Sequence, residues 1–357
     1  MPFAYRQLIQ VLPRLTPTRC GVSDQAVLLG RELSNEFGID PAYVVLNSDA
    51  TCELPHPVIH CDPNHLLHAC LSLSQNHPGA VLVHVSGYGY SMDGAPTHLA
   101  EALAELRRSG QFCIASYFHE LFATAMPWKS AFWNSLRQKR AMRMIVEESD
   151  LLLTNIKNHA QWLEQEAAGL SSLPVEVLPV LSAAGESQAP ISVNERKPAM
   201  AVFGLFASRQ RAYRSLSSLK EMLNDLGTRE IVDIGPESGI PSEVSGIPVR
   251  RAGMLSTEDL GSELSQTRFG FFSYGRQALA KSSILAAYCA QGTIPIIARP
   301  FHGEVDGLTD GVQLLSPRTA KSAKASELER YSLAAWRWYQ GHNLRVHAAT
   351  YARWLNN

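Results

Sequence analysis

Residues Ala80–Glu120 read AVLVHVSGYGYSMDGAPTHLAEALAELRRSGQFCIASYFHE. The runs Ala80–Val85 and Phe112–Tyr117 are short, apolar on both faces and rich in β-formers, the mark of buried strands. Between them Pro96–Leu106 repeats its apolar residues at helical spacing. Strand, helix and strand in this order predict a parallel pair joined by a crossover helix, the unit of an α/β fold. The pattern extends outward. Leu8–Leu12, Tyr43–Leu46, Leu151–Thr154 and Val175–Val180 read as further strands, with helices over Ser23–Phe37, Ala131–Glu147 and Asn158–Ala168. These elements make a first doubly wound domain over residues 1–183. The stretch Ser182–Pro198 loses periodicity and gathers Ser, Ala, Pro and charge, so 184–198 reads as a linker. A second series follows in 199–325, with strands at Met200–Phe206, Glu230–Ile234, Phe269–Ser273, Ile294–Ala298 and Val312–Leu315. Its helices are expected at Tyr213–Leu226, Thr257–Gln266 and Ser283–Gln291. The tail, 326–357, is helical and carries Tyr331, Trp336, Trp338, Tyr339, Tyr351 and Trp354, too apolar a set to stay solvated.

The chain has 357 residues, enough for two cores. Its 45% hydrophobic and 18% charged residues with net charge −1 offer no field to attract nucleic acid, and no nucleic-acid partner is expected. Six cysteines (Cys20, Cys52, Cys61, Cys70, Cys113, Cys289) lack C-x-x-C spacing and read as reduced thiols of a cytoplasmic protein that holds no metal. Acids such as Asp49 and Asp62 show no metal-ligand spacing. The first residues lack a secretory h-region, and no apolar run is long enough to span a membrane.

Ligands of open parallel sheets bind outside the carboxyl ends of the strands, which confines the search to the βα loops. The loop Thr16–Asp24 offers Gly21 for close backbone approach, with Ser23 or Asp24 placed to cap the helix. It is not a G-x-G-x-x-G fingerprint, which argues against a dinucleotide. Ser86–Tyr90 combines two glycines with Tyr88 and Tyr90, flat faces with hydroxyls suited to a sugar. The strand Phe112–Tyr117 runs into His119 and Glu120, which can polarise a hydroxyl or hold a pyranose. An aromatic loop follows, with Trp128, Phe132 and Trp133. In the second domain Arg209 and Arg211 occupy the first βα loop. Tyr274 and Lys281 lead to Ser282 and Ser283 at a helix start, where a cation, hydroxyls and free N–H groups make a diphosphate site without a metal. Lys129, Arg137, Lys139, Arg140 and Arg143 form a basic helical stretch that can meet anionic lipid or simply face water.

These residues together resemble family 4 retaining glycosyltransferases of the GT-B fold over essentially the whole chain. The segments Gly87–Tyr90, Phe118–Glu120 with Pro127, Trp128, Phe132 and Trp133, and Lys281–Tyr288 are also similar to a group of such enzymes from bacterial polysaccharide gene clusters. The resemblance implies two Rossmann-like domains around a cleft, with acceptor bound by the first domain, nucleotide by the second, and the C-terminal helices crossing back onto the first. It implies that Gly21 faces the donor phosphates and that His119 lies near the reacting sugar. Lys281 with Arg209 or Arg211 would neutralise the departing diphosphate. One departure stands out. Leu279 and Ala287 fall where the family's E-x₇-E pair would be.

The expected function is transfer of a hexose from a nucleotide-sugar to a carbohydrate or lipid-linked carbohydrate acceptor in cell-surface polysaccharide synthesis, with no cofactor. His119 and Glu120 are the catalytic candidates. Gly21, Arg209, Arg211, Tyr274, Lys281, Ser282 and Ser283 are candidates for the donor, and Ser23, Asp24, Tyr88, Tyr90 and Trp128 for the acceptor. The location is the cytoplasm, with a peripheral contact at the inner membrane face and the oligomeric state both left open. Two alternatives remain: an epimerase of the same fold, which would want more carboxylates near His119, and a non-catalytic partner of an active transferase, which the missing glutamate pair would suit.

Overall fold

A computed structural model describes residues 5–15, 21–46, 54–123, 130–169, 173–236 and 239–356, without the side chains of 130–133. The chain forms two compact units, 1–179 with 344–357, and 180–343.

In chain order the first unit comprises β1 (Gln7–Leu12), α1 (Gly21–Phe37), β2 (Asp40–Val45), β3 (Val58–His60), α2 (Leu66–Leu73), β4 (Gly79–Val85) and α3 (Gly87–Tyr90). It continues with α4 (Thr97–Arg108), β5 (Phe112–Phe118), α5 (Ser130–Glu147), β6 (Leu151–Thr154), α6 (Lys157–Ala167) and β7 (Val175–Val177). All seven strands are parallel, in the order β3-β2-β1-β4-β5-β6-β7. The chain therefore winds outward from β1 to β3, returns to β4 and winds out the other way. Every residue of β4 is buried, as helices on both faces of a parallel sheet require. Alternation sorts its side chains: Val81, Val83 and Val85 pack with Leu99, Leu103 and Ile145, whereas Ala80 and Leu82 face Leu29 and Leu33 of α1. Each such aliphatic side chain contributes about 1.5–3 kcal/mol by leaving water.

α1 carries a glycine at mid-length, where alanine would be the better helix former. A Cβ on Gly30 would lie 2.5 Å from Tyr43 Oη, 2.8 Å from Pro41 Cβ and 3.0 Å from Gln10 Nε2. Gly30 thus lets α1 lie close on β1 and β2. Gly30→Ala is expected to destabilise this unit by about 1–3 kcal/mol, the scale of overpacking, against its gain in helix propensity. A urea midpoint at or above that of the parent would disprove the close-packing account.

The second unit comprises β8 (Lys197–Phe203), α7 (Phe206–Leu216), α8 (Lys220–Asp225), β9 (Glu230–Ile234), β10 (Glu243–Val244), β11 (Ile247–Gly253), α9 (Thr257–Ser265) and β12 (Thr267–Phe272). Then come a 3₁₀ turn at Arg276–Lys281, α10 (Ser283–Ala290), β13 (Ile294–Ile297), α11 (Pro317–Ala320) and α12 (Leu328–Gln340). The sheet order is β10-β11-β9-β8-β12-β13, parallel except for the β10–β11 pair, and again reverses direction beside its first strand. α10 is apolar all round, and Leu285 through Ala290 are all buried.

Several expectations need correction. The stretch 184–198 is part of the second unit, not a free linker: Ala184, Val193 and Arg196 are buried, Gln291 Nε2 donates to the Ala184 carbonyl at 2.8 Å and the Val193 N–H donates to Glu329 at 2.8 Å. Lost periodicity here reflects irregular backbone held by side chains. The tail divides. α12 packs in the second unit, where Tyr339 Oη donates to Glu186 at 2.6 Å. Only α13 (Leu344–Trp354) belongs to the first, with Ala348, Tyr351 and Ala352 packed among Leu8, Leu29 and Leu33. Val312–Leu315 is no strand. It follows Gly311 at φ +88° and makes two isolated bridges, Leu315 to Ile296 and Leu314 to Asp310. The helix expected over 213–226 begins at Phe206 and breaks after Leu216, so Arg209 and Arg211 lie on α7 and not in a loop. β11 went unread because Arg250 and Arg251 interrupt its apolar pattern.

Candidate functional site

In both sheets the reversal of strand order opens the place where ligands of doubly wound folds sit, beyond the carboxyl ends of the strands on either side. In the first unit those strands are β1 and β4, and three polar side chains run across them. Gln10 of β1 donates through Nε2 to the Ala26 carbonyl of α1 at 2.9 Å. Its Oε1 lies 2.9 Å from Nε2 of His84 on β4. His84 Nδ1 lies 3.0 Å from Nε2 of His119, which follows β5. The His84 and His119 rings stack with centroids 5.3 Å apart, and the Tyr117 ring centroid lies 4.5 Å from that of His119. All three residues of the chain are buried. Burial lowers the His84 pKa to about 3, so its ring stays neutral. His119 is fixed at its backbone too: its N–H donates to Val85 O at 3.0 Å, and its carbonyl accepts from Asn155 Nδ2 at 3.1 Å. Glu120 is exposed beside it.

The other candidates of this unit fare differently. Gly21 opens α1, and no described atom lies within 4 Å of where a Cβ on it would stand. Ser23 and Asp24 lie inside the first turn and are not caps, because the helix already runs from Gly21. Ser23 Oγ donates to the Arg14 carbonyl at 2.7 Å and is buried, which takes its hydroxyl out of acceptor binding. Asp24 sets negative charge near the helix N-terminus, a favourable placement. Tyr90 Oη lies 3.2 Å from both the Val11 and His84 carbonyls, so the hydroxyl serves the β1–β4 junction instead of a sugar. Its ring lines a pocket of about 300 Å³ with Asp62, Asn64, Ser91, His98 and Leu99. Tyr88 is exposed, its hydroxyl accepting from Gln138 Nε2 at 3.1 Å. The two glycines of this loop are there for packing: a Cβ on Gly87 would sit 2.4 Å from the Gly94 carbonyl, and one on Gly89 2.8 Å from Pro13. Trp128, Pro127, Lys129, Asp49, Cys20 and Cys52 lie outside the described residues, as do the side chains of Phe132 and Trp133. Of the basic stretch, Arg137 pairs with Asp93 at 3.2 Å and Arg143 with Glu166 at 2.7 Å. Lys139 stands 4.7 Å over the Phe122 ring, and Arg140 is exposed.

In the second unit the reversal lies at β8 and β12. β8 is followed by Gly204, φ +130°, where a Cβ would sit 2.9 Å from Ile284 Cδ1 at the start of α10. Gly204 therefore brings the end of β8 against the N-terminus of α10. There Ser282 caps the helix, its Oγ accepting from Leu285 N–H at 3.2 Å. Ser283 is exposed, and Lys281 and Tyr274 are half-buried. A lysine, a hydroxyl and the unpaired N–H groups of a first helical turn can hold a phosphate.

Arg209 is not part of this set. Its side chain is wholly buried, paired with Asp233 and donating to the Pro236 carbonyl. Tyr213 Oη donates to the other oxygen of Asp233 at 3.0 Å. Helix α7 starts early enough to turn Arg209 inward, and a buried guanidinium needs that carboxylate. Arg211, two residues on, is exposed. Leu279 and Ala287, at the places of the glutamate pair, are fully buried in the core. Among the described residues no group of three or more His, Cys, Asp or Glu is gathered to hold a metal.

Gln10 and His84 escaped the sequence reading because they sit inside runs that are otherwise apolar. The signal was available. A glutamine and a histidine in mid-strand must find partners if the sheet is covered on both faces.

No protein-family model matches the sequence, and no curated protein matches it. Solved structures do resemble its fold. An α-glucosyltransferase in complex with UDP and a 13-mer DNA has TM-score 0.62 at 13% identity, covering 98% of this chain and 99% of that one. The trehalose-6-phosphate protein from E. coli bound with UDP-2-fluoro glucose has TM-score 0.59 at 11% identity, with 98% and 99% covered. Sucrose-phosphate synthase from Thermosynechococcus elongatus has TM-score 0.58 at 12% identity, with 98% of each covered. These neighbours are GT-B glycosyltransferases, and the α/β architecture of this chain is of their kind.

Proposed function

We propose that this protein transfers a hexose from a nucleotide-sugar to a hydroxyl of a carbohydrate or lipid-linked carbohydrate acceptor. The observation that carries the reading is the place of the polar groups. In one unit Gln10 and His84 stand on the two strands of the reversal and reach His119 after β5, and in the other Lys281 and the α10 N-terminus follow β12, a strand of that sheet's reversal. The chain that does so follows UDP-bound transferases along nearly their whole length. In this reading Lys281, Ser283 and the α10 N–H groups hold the diphosphate and stabilise its departure, which asks for no metal. His119 stands at the sugar. Retention of configuration, a role in cell-surface polysaccharide synthesis and a cytoplasmic location come with the family resemblance. No described helix is long and apolar enough to cross a membrane, so a lipid-linked acceptor would be met at a surface, where Arg140 is an exposed cation of α5. A net charge of −1 favours a glycan over a nucleic acid as acceptor.

Thermal-shift measurements with a panel of nucleoside diphosphates, followed by donor hydrolysis, test the reading. Stabilisation by at least one of them is expected, and none from any member would sink it. Lys281→Ala is expected to weaken the nucleoside diphosphate by about 1–3 kcal/mol, the scale of a lost charge-assisted contact. Unchanged affinity by calorimetry removes Lys281 from the site. His119→Ala is expected to lower turnover by about 10²-fold or more while nucleotide affinity holds. Parallel loss of both with the melting temperature would assign His119 a purely structural part. The buried Leu279 and Ala287 favour one second reading, a non-catalytic partner, for which nucleotide would bind without any turnover.

A further inference from the structure

We infer that Gln10 and His84 are positioning residues for His119, which fix its tautomer so that Nε2 carries the proton and Nδ1 the lone pair. At the root of the chain stands a carbonyl, a group that can only accept. The Ala26 carbonyl takes the Gln10 amide N–H at 2.9 Å, which turns Oε1 toward His84. Oε1 is also only an acceptor, so the His84 Nε2 at 2.9 Å must bear the proton. A neutral His84 then has its lone pair on Nδ1. Across the 3.0 Å to His119 the donor is Nε2–H of His119. Polarity is thus passed from the α1 backbone through β1 and β4 to the ring that follows β5.

Neither Gln10 nor His84 needs to touch a ligand for this to matter. If His119 works at the sugar, as the proposed function has it, the relay decides which nitrogen can accept a hydroxyl proton. It also leaves the His119 Nε2 donor satisfied whether the ring is neutral or protonated, because a neutral His84 accepts in both states. A histidine held in this way is oriented as well as typed, since the hydrogen bond fixes the ring plane.

The test reads tautomers directly. In protein labelled with ¹⁵N-histidine, long-range ¹H–¹⁵N spectra at neutral pH should show both His84 and His119 as the Nε2–H form. His84→Gln and His119→Gln assign the signals. Gln10→Leu removes the acceptor at the root of the relay. His119, linked to residue 10 through the two hydrogen bonds of His84, should then show mixed tautomers, and donor turnover should fall about 10- to 100-fold, the usual cost of losing a group that orients a functional side chain. Gln10→Glu keeps the acceptor oxygen, and its acid proton stands where the amide N–H stood. It should restore the Nε2–H form and most of the turnover. An Nδ1–H form of His119 in the parent protein overturns the inference. So does a Gln10→Leu protein that melts lower but keeps the parent tautomer at His119. Absence of turnover with every nucleotide-sugar would count against the proposed function alone, because the spectra settle the relay without it.

Discussion

Between pH 6.5 and 5 the first unit is expected to lose about 1.4 kcal/mol of stability per pH unit for each of two histidines, His84 and His347. Both are buried. His347 donates from Nε2 to the Pro179 carbonyl at 2.9 Å, and its Nδ1 has no partner among the described residues. Burial lowers their pKa values from 6.5 to about 3 for His84 and about 4 for His347. The folded unit therefore stays unprotonated in this range while the unfolded chain takes up a proton at each site. Their contribution is fully present above pH 6.5 and is lost as the pH falls toward the folded values. Two separate units make one global unfolding energy ill defined, so the measurement is hydrogen exchange of β4 amides against β8 amides. His347→Gln keeps an N–H for the Pro179 carbonyl and should remove one proton from the slope. An unchanged slope would show that His347 does not titrate on unfolding.

Arg209→Ala is expected to cost the second unit about 3–5 kcal/mol, the scale of leaving a buried charge without its partner. The Asp233 carboxylate and the Pro236 carbonyl would both lose the guanidinium, and Asp233 would keep only the Tyr213 hydroxyl against its charge. Arg209→Met combined with Asp233→Leu removes both charges and should recover most of that loss, since a buried ion pair exchanged for apolar groups is often neutral. Exchange protection at β8 and β9 reads both variants. If Arg209 instead served a phosphate, Arg209→Ala would leave protection intact and abolish nucleotide binding.

The fold was legible where a run of one polarity was long enough to carry a period. Leu151–Thr154 and Glu230–Ile234 are strands at the bounds expected, because both centre on adjacent aliphatic residues, Leu151 to Leu153 and Ile231 with Val232. β3 and β11 were not legible, being short or broken by arginines near the sheet margins, where one side of the strand meets water. The boundary at Pro179 was hidden for another reason. Ser- and Pro-rich backbone looks unstructured in a sequence, yet Arg196 shows how side chains tie it down, donating from Nε and Nη2 to the Ile191 carbonyl at 2.9 and 2.7 Å. Of the candidate site, the sequence pointed to loops and not to the partners of their side chains. His119 stands at a strand's end, where sequence reasoning looks. Arg209 also follows a strand, but a count of charges does not show which cation is turned inward to meet a carboxylate such as Asp233.

The return of α13 to the first unit has a consequence for how the chain is made. A ribosome delivers residues 1–179 first, with Leu8, Leu29, Leu33 and Tyr117 still lacking the helix that covers them. Residues 180–343 form an uninterrupted segment and can close their core as they emerge. Of the two units, the first begins earlier and is completed later, so premature termination anywhere before Leu344 leaves the apolar side chains that Ala348, Tyr351 and Ala352 cover exposed beside α1.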